Sequence, residues 1–386
     1  MVAQNRSSSV PYRARATREG SLVAETDGAI RVDIEDHAPL LWFPRVDVRS
    51  DALADLPAGS WQDGSGDLAD HVAFDQEQVD LALVDARPGD DERDVTTKRF
   101  PTWGDATDLV AVMDVRSEGD GRFTCQARSD WRRPVVEGSQ ILGQAIVAAS
   151  RHAPGRRAVS ASMVFTRAAD ARQPYRLELD PVAEGRTFTA LGARATQAGR
   201  VCAAGTVLLD VTAPDAIRHA EPMPDVAGPY DSAPYDMSVT GRDLRIVDDA
   251  YTGDPAAPLG PPELDAWVRF RDLPDDQPIH AGLLAQFTGH LSIAAAMRPH
   301  AGIGQDMAHR TLSTAINAIS ISIHAAIRAD RWMLYHHRST VAADGMTHAE
   351  CRVHDEDGSL VASFTVDAMV RGFADPSRSP DDRTAL

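Results

Sequence analysis

The stretch Gly138-Ser139-Gln140-Ile141-Leu142-Gly143-Gln144-Ala145-Ile146-Val147-Ala148-Ala149 constrains the fold most, because it carries helix punctuation and almost no polar face. Ser139 is placed to cap the first-turn amides, and Pro154-Gly155 stops the run. A helix apolar on most of its circumference has to be wrapped on most sides. Small residues at Gly143 and Ala145 let another backbone come close. The wrapping material follows at once: Val159 to Phe165, Tyr175 to Leu179, Thr187 to Ala195 and Val201 to Leu209 are alternating or β-branched runs, divided by Asp170, Glu184-Gly185 and Ala198-Gly199. One buried helix followed by an antiparallel meander is expected.

The same order returns further along. Ala266-Trp267-Val268-Arg269-Phe270 reads as a strand, and Pro278 to Met297 as a second mostly apolar helix, with Asp276 placed to cap it and Pro278 near its first turn. Four strand-like runs come next: Leu312 to Ile323, Trp332 to Arg338, Thr347 to Val353 and Val361 to Val370. Ahead of the first helix, Leu109 to Arg116 and Arg122 to Ala127 read as a hairpin across Glu118-Gly119-Asp120-Gly121. The recurrence signals a tandem repeat.

Short motifs sit in register with this repeat. They are Trp131 followed by Gly138-x-Gln140-x-x-Gly143-Gln144-Ala145, then Glu184-Gly185-Arg186-Thr187-Phe188, His280-x-x-Leu283-Leu284, Pro299-His300, Trp332-x-Leu334-Tyr335 and Gly358-x-Leu360-Val361-Ala362-Ser363. In their order and spacing, residues 106–373 resemble the acyl-CoA thioesterase II family. The resemblance implies an α+β fold, a tandem (double) hot-dog in which each curved antiparallel sheet wraps a central helix. The first module would occupy 106–210 and the second 263–373, with a Pro-, Asp- and Gly-rich connector over 211–262.

Residues 1–17, rich in Arg and Ser without periodicity, read as a flexible lead-in, and 374–386 as a disordered tail. Between the lead-in and the acidic boundary at Pro88 to Arg93, residues 18–90 read as a small mainly-β domain. Its Phe43-Pro44-Arg45-Val46-Asp47-Val48-Arg49 and Asp70-His71-Val72-Ala73-Phe74 resemble a small bacterial β-domain of unknown function. The Cys-Pro-x-Lys-Gly segment of that family is missing, with a loop over 55–67 where it would stand, which leaves packing or oligomer contact as the implied role.

Composition narrows the partners. With 386 residues and a formal net charge of -18, the chain lacks the basic footprint that nucleic acid requires. No apolar run has spanning length and no signal-peptide core begins the chain, so a cytoplasmic protein without membrane partners is expected. Cys125, Cys202 and Cys351, each inside a separate strand-like run, read as reduced core thiols. Arginine is plentiful while lysine occurs only at Lys98.

Hydrolysis of an acyl-CoA, which the resemblance implies, needs an aligned water, a proton acceptor and donors aimed at the oxygen that becomes negative. The resembled family aligns water with an Asp on the second central helix, a Thr or Ser on the next strand and a Gln near the last strand. Carried over one position at a time, these fall on Gly289, Ile316 and Val366, none of which can do the work. The neighbours able to compensate are Thr288 and His290 beside Gly289, Thr314 with the strand parity of Ile316, and Asp367 across a one-residue bulge. Gln144, taken as the internal-symmetry counterpart of Gly289, either orients water or the acyl carbonyl or is a core amide bonded to backbone. Arg132 and Arg133 ahead of the first helix, with Arg151, Arg156 and Arg157 at its far end, either meet the anionic CoA or are solvated helix ends.

No cofactor or metal is expected. His336 and His337 are adjacent on a strand and point to opposite faces, and Gly302-x-Gly304 lacks a preceding strand. Asn317, Ser320 and Ser322 are polar positions that either line the tunnel or face water. Two functions stay open: a thioesterase of lipid metabolism acting as a homo-oligomer, and an acyl-thioester binding or scaffold protein that keeps the fold without turnover. A hot-dog hydratase would need a helix Asp followed by His, which the chain lacks.

Overall fold

The computed structural model describes residues 6–10, 12–33, 39–85, 96–100, 103–127, 135–251 and 253–373. They divide into two compact units. The smaller holds the described residues up to Asp105 together with Pro234–Arg242, and the larger holds the rest. No helix among the described residues is long and apolar enough to cross a membrane.

The smaller unit consists of two antiparallel sheets. One runs Arg6–Ser9, Ile30–Asp33, Leu40–Pro44, His71–Phe74, Trp61–Asp63, and the other Ser21–Thr26, Arg13–Arg18, Asp80–Asp85, Thr96–Phe100. A single turn of helix, α1 (Ser50–Ala54), lies in the loop region. Phe43 and Phe74 meet edge to face in its core at a centroid distance of 5.3 Å. The expected flexible lead-in is corrected. Arg13–Arg18 is a central strand with Ala14 and Ala16 fully buried, an Arg/Ala alternation that the polar composition masks. The unit also extends past residue 90, because Thr96–Phe100 pairs with Asp80–Asp85. Lys98 Nζ donates to the carbonyls of Thr240 (3.1 Å) and Arg242 (2.6 Å), which ties in part of the expected connector.

In the larger unit one sheet carries two successive copies of the same strand order. The first copy runs Arg122–Cys125, Tyr175–Glu184, Phe188–Gln197, Arg200–Asp210, Arg157–Phe165, with Arg116–Gly119 on its outer edge. The second runs, from its outer side, Glu263–Phe270, Met333–Ala343, Met346–Asp355, Leu360–Gly372, Leu312–Ile323. Numbered within each copy, both orders are 1-3-4-5-2. The copies join where Arg157–Phe165 pairs antiparallel with Leu312–Ile323, centred on Ser162 opposite Ser320. Arg242–Ile246 extends the sheet beyond Glu263–Phe270, so the connector is not structureless throughout.

Leu109 to Arg116 is not a strand. Ala106–Met113 forms α2, whose Leu109, Val112 and Met113 are buried at helical spacing. The first central helix, α3 (Gly138–His152), buries every residue from Ser139 to Ala149. The second is not one rod, as the sequence implies, but two pieces, α4 (Gln277–Phe287) and α5 (Ser292–Met297). The break is local. Thr288 and His290 donate to carbonyls three residues back, tightening the last turn, and Leu291 then takes a left-handed conformation at φ 68°. That conformation costs a non-glycine residue about 1–2 kcal/mol, so the surrounding packing must hold it.

α3 and α4 run antiparallel, with Arg151 near the end of α3 paired to Asp276 ahead of α4. They cross at two glycines. A Cβ on Gly143 would lie closer than 3.0 Å to the Gly282 carbonyl oxygen, and a Cβ on Gly282 would lie 3.2 Å from the Gly143 oxygen. Met113 of α2 closes the same crossing.

Candidate active site

The antiparallel crossing brings the start of α3 against the end of α4. Glu137 occupies the N-cap position of α3, exposed and with no side-chain cap bond. Ser139, expected to be the cap, is instead inside the helix and 1% exposed, and its Oγ has no hydrogen-bond partner among the described residues. Directly opposite is Gly289. A Cβ built there would stand 2.9 Å from Ser139 Cβ and still nearer its Oγ, so the hydroxyl fills the space in which a side chain at 289 would begin.

Around this point the polar groups converge. Gln286 Nε2 donates to Glu137 Oε2 at 3.4 Å, and His290 Nε2 lies 3.5 Å from the same oxygen. Gly138, Gly289 and His290 are half-buried, beside the buried Ser139 and the exposed Glu137. Gln140 and Ile141 N–H donate to the Glu137 carbonyl, which leaves the amides of Gly138 and Ser139 ahead of the helix's own carbonyls, and the positive dipole end faces the same place. An acceptor carboxylate, an imidazole, a hydroxyl and helix-end amides are the parts an acyl-transfer site uses.

The other sequence-derived candidates fall elsewhere. Thr288 is fully buried and spends its hydroxyl on the Ala285 carbonyl at 2.6 Å. Thr314 keeps the inward parity of Ile316 but bonds His309 Nε2 at 3.3 Å. A bulge lies at Asn317 on the facing strand, between Ile316 and Ala318, and it does not turn Asp367 inward. Asp367 is exposed and bonds His348 Nδ1 at 2.6 Å, while Val366 and Ala368 face the core, so the expectation for Asp367 is corrected. His336 and His337 do face opposite ways. His336 bonds Asp265 at 2.8 Å, and the fully buried His337 sits within reach of Ser292 (3.1 Å) and Cys351 (3.3 Å). Burial pushes the His337 ring down to about 3.

Gln144 has the core role. Its Nε2 donates to Val112 O (2.6 Å) and Gln126 O (3.0 Å), and its Oε1 accepts from the Tyr175 hydroxyl. The reciprocal glycine crossing equates Gly143 with Gly282, hence Gln144 with Leu283, so the correspondence with Gly289 is also corrected.

The arginines divide. Arg156 donates to the carbonyls of Gly185 and Thr187, Arg157 pairs with Asp210 at 2.8 Å, and Arg151 with Asp276. These three stand at the C-terminal end of α3, roughly 20 Å along the helix from Ser139, and are committed to neighbours. Arg132 and Arg133 lie outside the described residues. A separate concavity, lined by Tyr251, Leu264, Ala294, Met297, Arg298 and His300, lies beside α5 and contains none of the converging groups. Its Arg298 is bonded to the Glu263 carbonyl.

Glu137, Ser139 and Gln286 escape sequence reasoning because each reads as helix furniture. The one signal was an acid immediately before a buried helix, at the end where carboxylates and anions both favour the dipole.

Comparison with known proteins agrees with the topology. The acyl-CoA thioesterase N-terminal domain matches residues 127–209 and the acyl-CoA thioesterase C-terminal domain residues 218–370. Acyl-CoA thioesterase 2 of Haemophilus influenzae is 25% identical over 254 residues, 61% of this chain and 87% of its own. Among solved structures, acyl-CoA thioesterase II TesB2 from Mycobacterium marinum is 24% identical with a TM-score of 0.58, covering 69% of this chain and 99% of its own. A hot-dog protein of unknown function from Alicyclobacillus acidocaldarius, 16% identical, gives 0.57 over 69% of this chain and 98% of its own. The larger unit therefore has a hot-dog fold, and the chain belongs to the acyl-CoA thioesterase II family.

Proposed function

We propose that the chain hydrolyses the thioester of an acyl-CoA to free acid and CoA, on a tandem double hot-dog whose reactive centre lies where α3 begins and α4 ends. The observation that carries this reading is the Glu137 carboxylate held between Gln286 and His290 above the amides of α3. Water resting against Glu137 gives up a proton to the Glu137–His290 pair as its oxygen bonds to the thioester carbon. Negative charge gathers on the carbonyl oxygen, which the first-turn amides stabilise. The C–S bond then breaks, and the CoA thiolate takes up a proton. No step calls for a metal or an organic cofactor. Pairing of such chains into a homo-oligomer belongs to the same reading, as does a place in lipid metabolism.

The test is release of free thiol from acyl-CoAs over a range of chain lengths. Wild-type protein should release it, and Glu137→Gln and His290→Ala should each lower kcat by about 10²–10⁴-fold, the usual worth of a positioned proton acceptor. Acyl-CoA binding without release at any chain length would replace hydrolysis with the binding-protein reading.

A further inference from the structure

The Ser139 hydroxyl remains unexplained by core packing. It is a buried polar atom with no partner among the described residues, and such an atom costs about 1–3 kcal/mol relative to a bonded one. It points toward Gly289, just past the end of α4, where the missing side chain leaves it room. The two positions are coupled sterically: with Ser139 present, any side chain at 289 meets it at a Cβ–Cβ distance of 2.9 Å or less. The missing carboxylate at 289 and the hydroxyl at 139 are thus a single structural fact, in which a donor from α3 occupies the volume of a side chain at 289.

We propose that Ser139 is a carbonyl-binding group: its hydroxyl donates a hydrogen bond to the thioester oxygen of an acyl-CoA lying over Gly289. This rests on the hydrolase reading and assigns it a residue. A neutral hydroxyl suits that role better than the proton-accepting one, because no base among the described residues bonds its oxygen, whereas the helix-end dipole beside it favours developing negative charge. Gly289, against the enclosed hydroxyl, is itself half-buried. Once bonded, the hydroxyl gains a partner that none of the described residues gives it.

The experiment measures binding of two probes that cannot be hydrolysed. One is a CoA ketone in which a methylene replaces the thioester sulfur, so the carbonyl is kept. The other is the S-alkyl-CoA thioether of equal chain length, which lacks the carbonyl. Calorimetric titration of wild-type protein should show the ketone binding roughly tenfold tighter, the worth of one net hydrogen bond. In Ser139→Ala that ratio should fall toward one while thioether affinity holds. Gly289→Ala, which keeps the hydroxyl but fills the space before it, should remove the preference as well.

A ketone preference that survives in Ser139→Ala overturns the assignment, and if wild-type thiol release persists alongside it, the hydrolase reading stands without this residue. Equal affinity for both probes in wild-type protein also overturns it. Binding of neither probe, together with no thiol release, overturns both.

Discussion

Gly143→Ala offers a test of sign as well as size. Alanine is the better helix former, and in an isolated helix the exchange would stabilise by about 1 kcal/mol. At the crossing of α3 and α4 the added methyl would meet the Gly282 carbonyl oxygen closer than 3.0 Å, where ordinary contact begins at 3.4 Å, with Met113 Sδ only 3.1 Å away on another side. The obstacle is backbone and cannot rotate away, so the helices must separate by several tenths of an ångström. Overpacking of this kind costs about 1–3 kcal/mol, and a rigid partner places it at the upper end. The net effect should be a loss of about 2 kcal/mol. At about 2–4 °C per kcal/mol for a unit of this size, Tm should drop by about 4–8 °C.

Differential scanning calorimetry of the full chain reads this directly in the transition of the larger unit. Gly199→Ala is the comparison: φ there is +74° with nothing within 4 Å, so only backbone strain of about 1–2 kcal/mol is expected. An unchanged or raised Tm for Gly143→Ala would show that the two central helices do not approach as closely as the structure has them.

Other consequences can be measured separately. The hydrogen bond that the His336 ring donates to the Asp265 carboxylate raises the pKa of His336 above 6.5, against a smaller lowering by burial. That contribution is full below 6.5 and fades as pH rises through the raised folded value, so His336→Gln should lower Tm more at about pH 5 than at about pH 9. His337 has the opposite sign: pushed down to about 3, it weakens the folded state as pH falls from 6.5 toward 3, and His337→Asn should flatten the acid limb of stability. Gln144→Ala strips partners from Tyr175, Val112 and Gln126 in the core and should cost about 2–4 kcal/mol in urea unfolding. Burial raises the thiols of Cys125 and Cys351 to about 12, so iodoacetamide should label them only after unfolding; labelling at native rates would contradict their burial.

Much of the architecture was legible because it is written in local periodicity. The all-round apolar character of 138–149 announced a wrapped helix, and alternation from Val159 to Leu209 and from Leu312 to Val370 announced the strands that wrap it. Where two periodicities compete over a short run, the reading slipped: Leu109 to Arg116 fits a strand as well as a helix until Met113 is seen against Gly143 and Gly282. Arg13–Arg18 slipped for a different reason, since alanine is too small to advertise an inward face, yet it fits a strand between two neighbours.

The sequence by itself determined that two similar units each bury a helix and that the expected acid at 289 is absent. Only the tertiary structure decided what stands in its place. Ser139 and Gly289 are far apart along the chain, and a glycine in a sequence records only a missing side chain. What fills the vacated volume depends on how two helices from different repeats cross, and that crossing is set by Gly143 against Gly282, a contact between backbones that no side-chain pattern encodes.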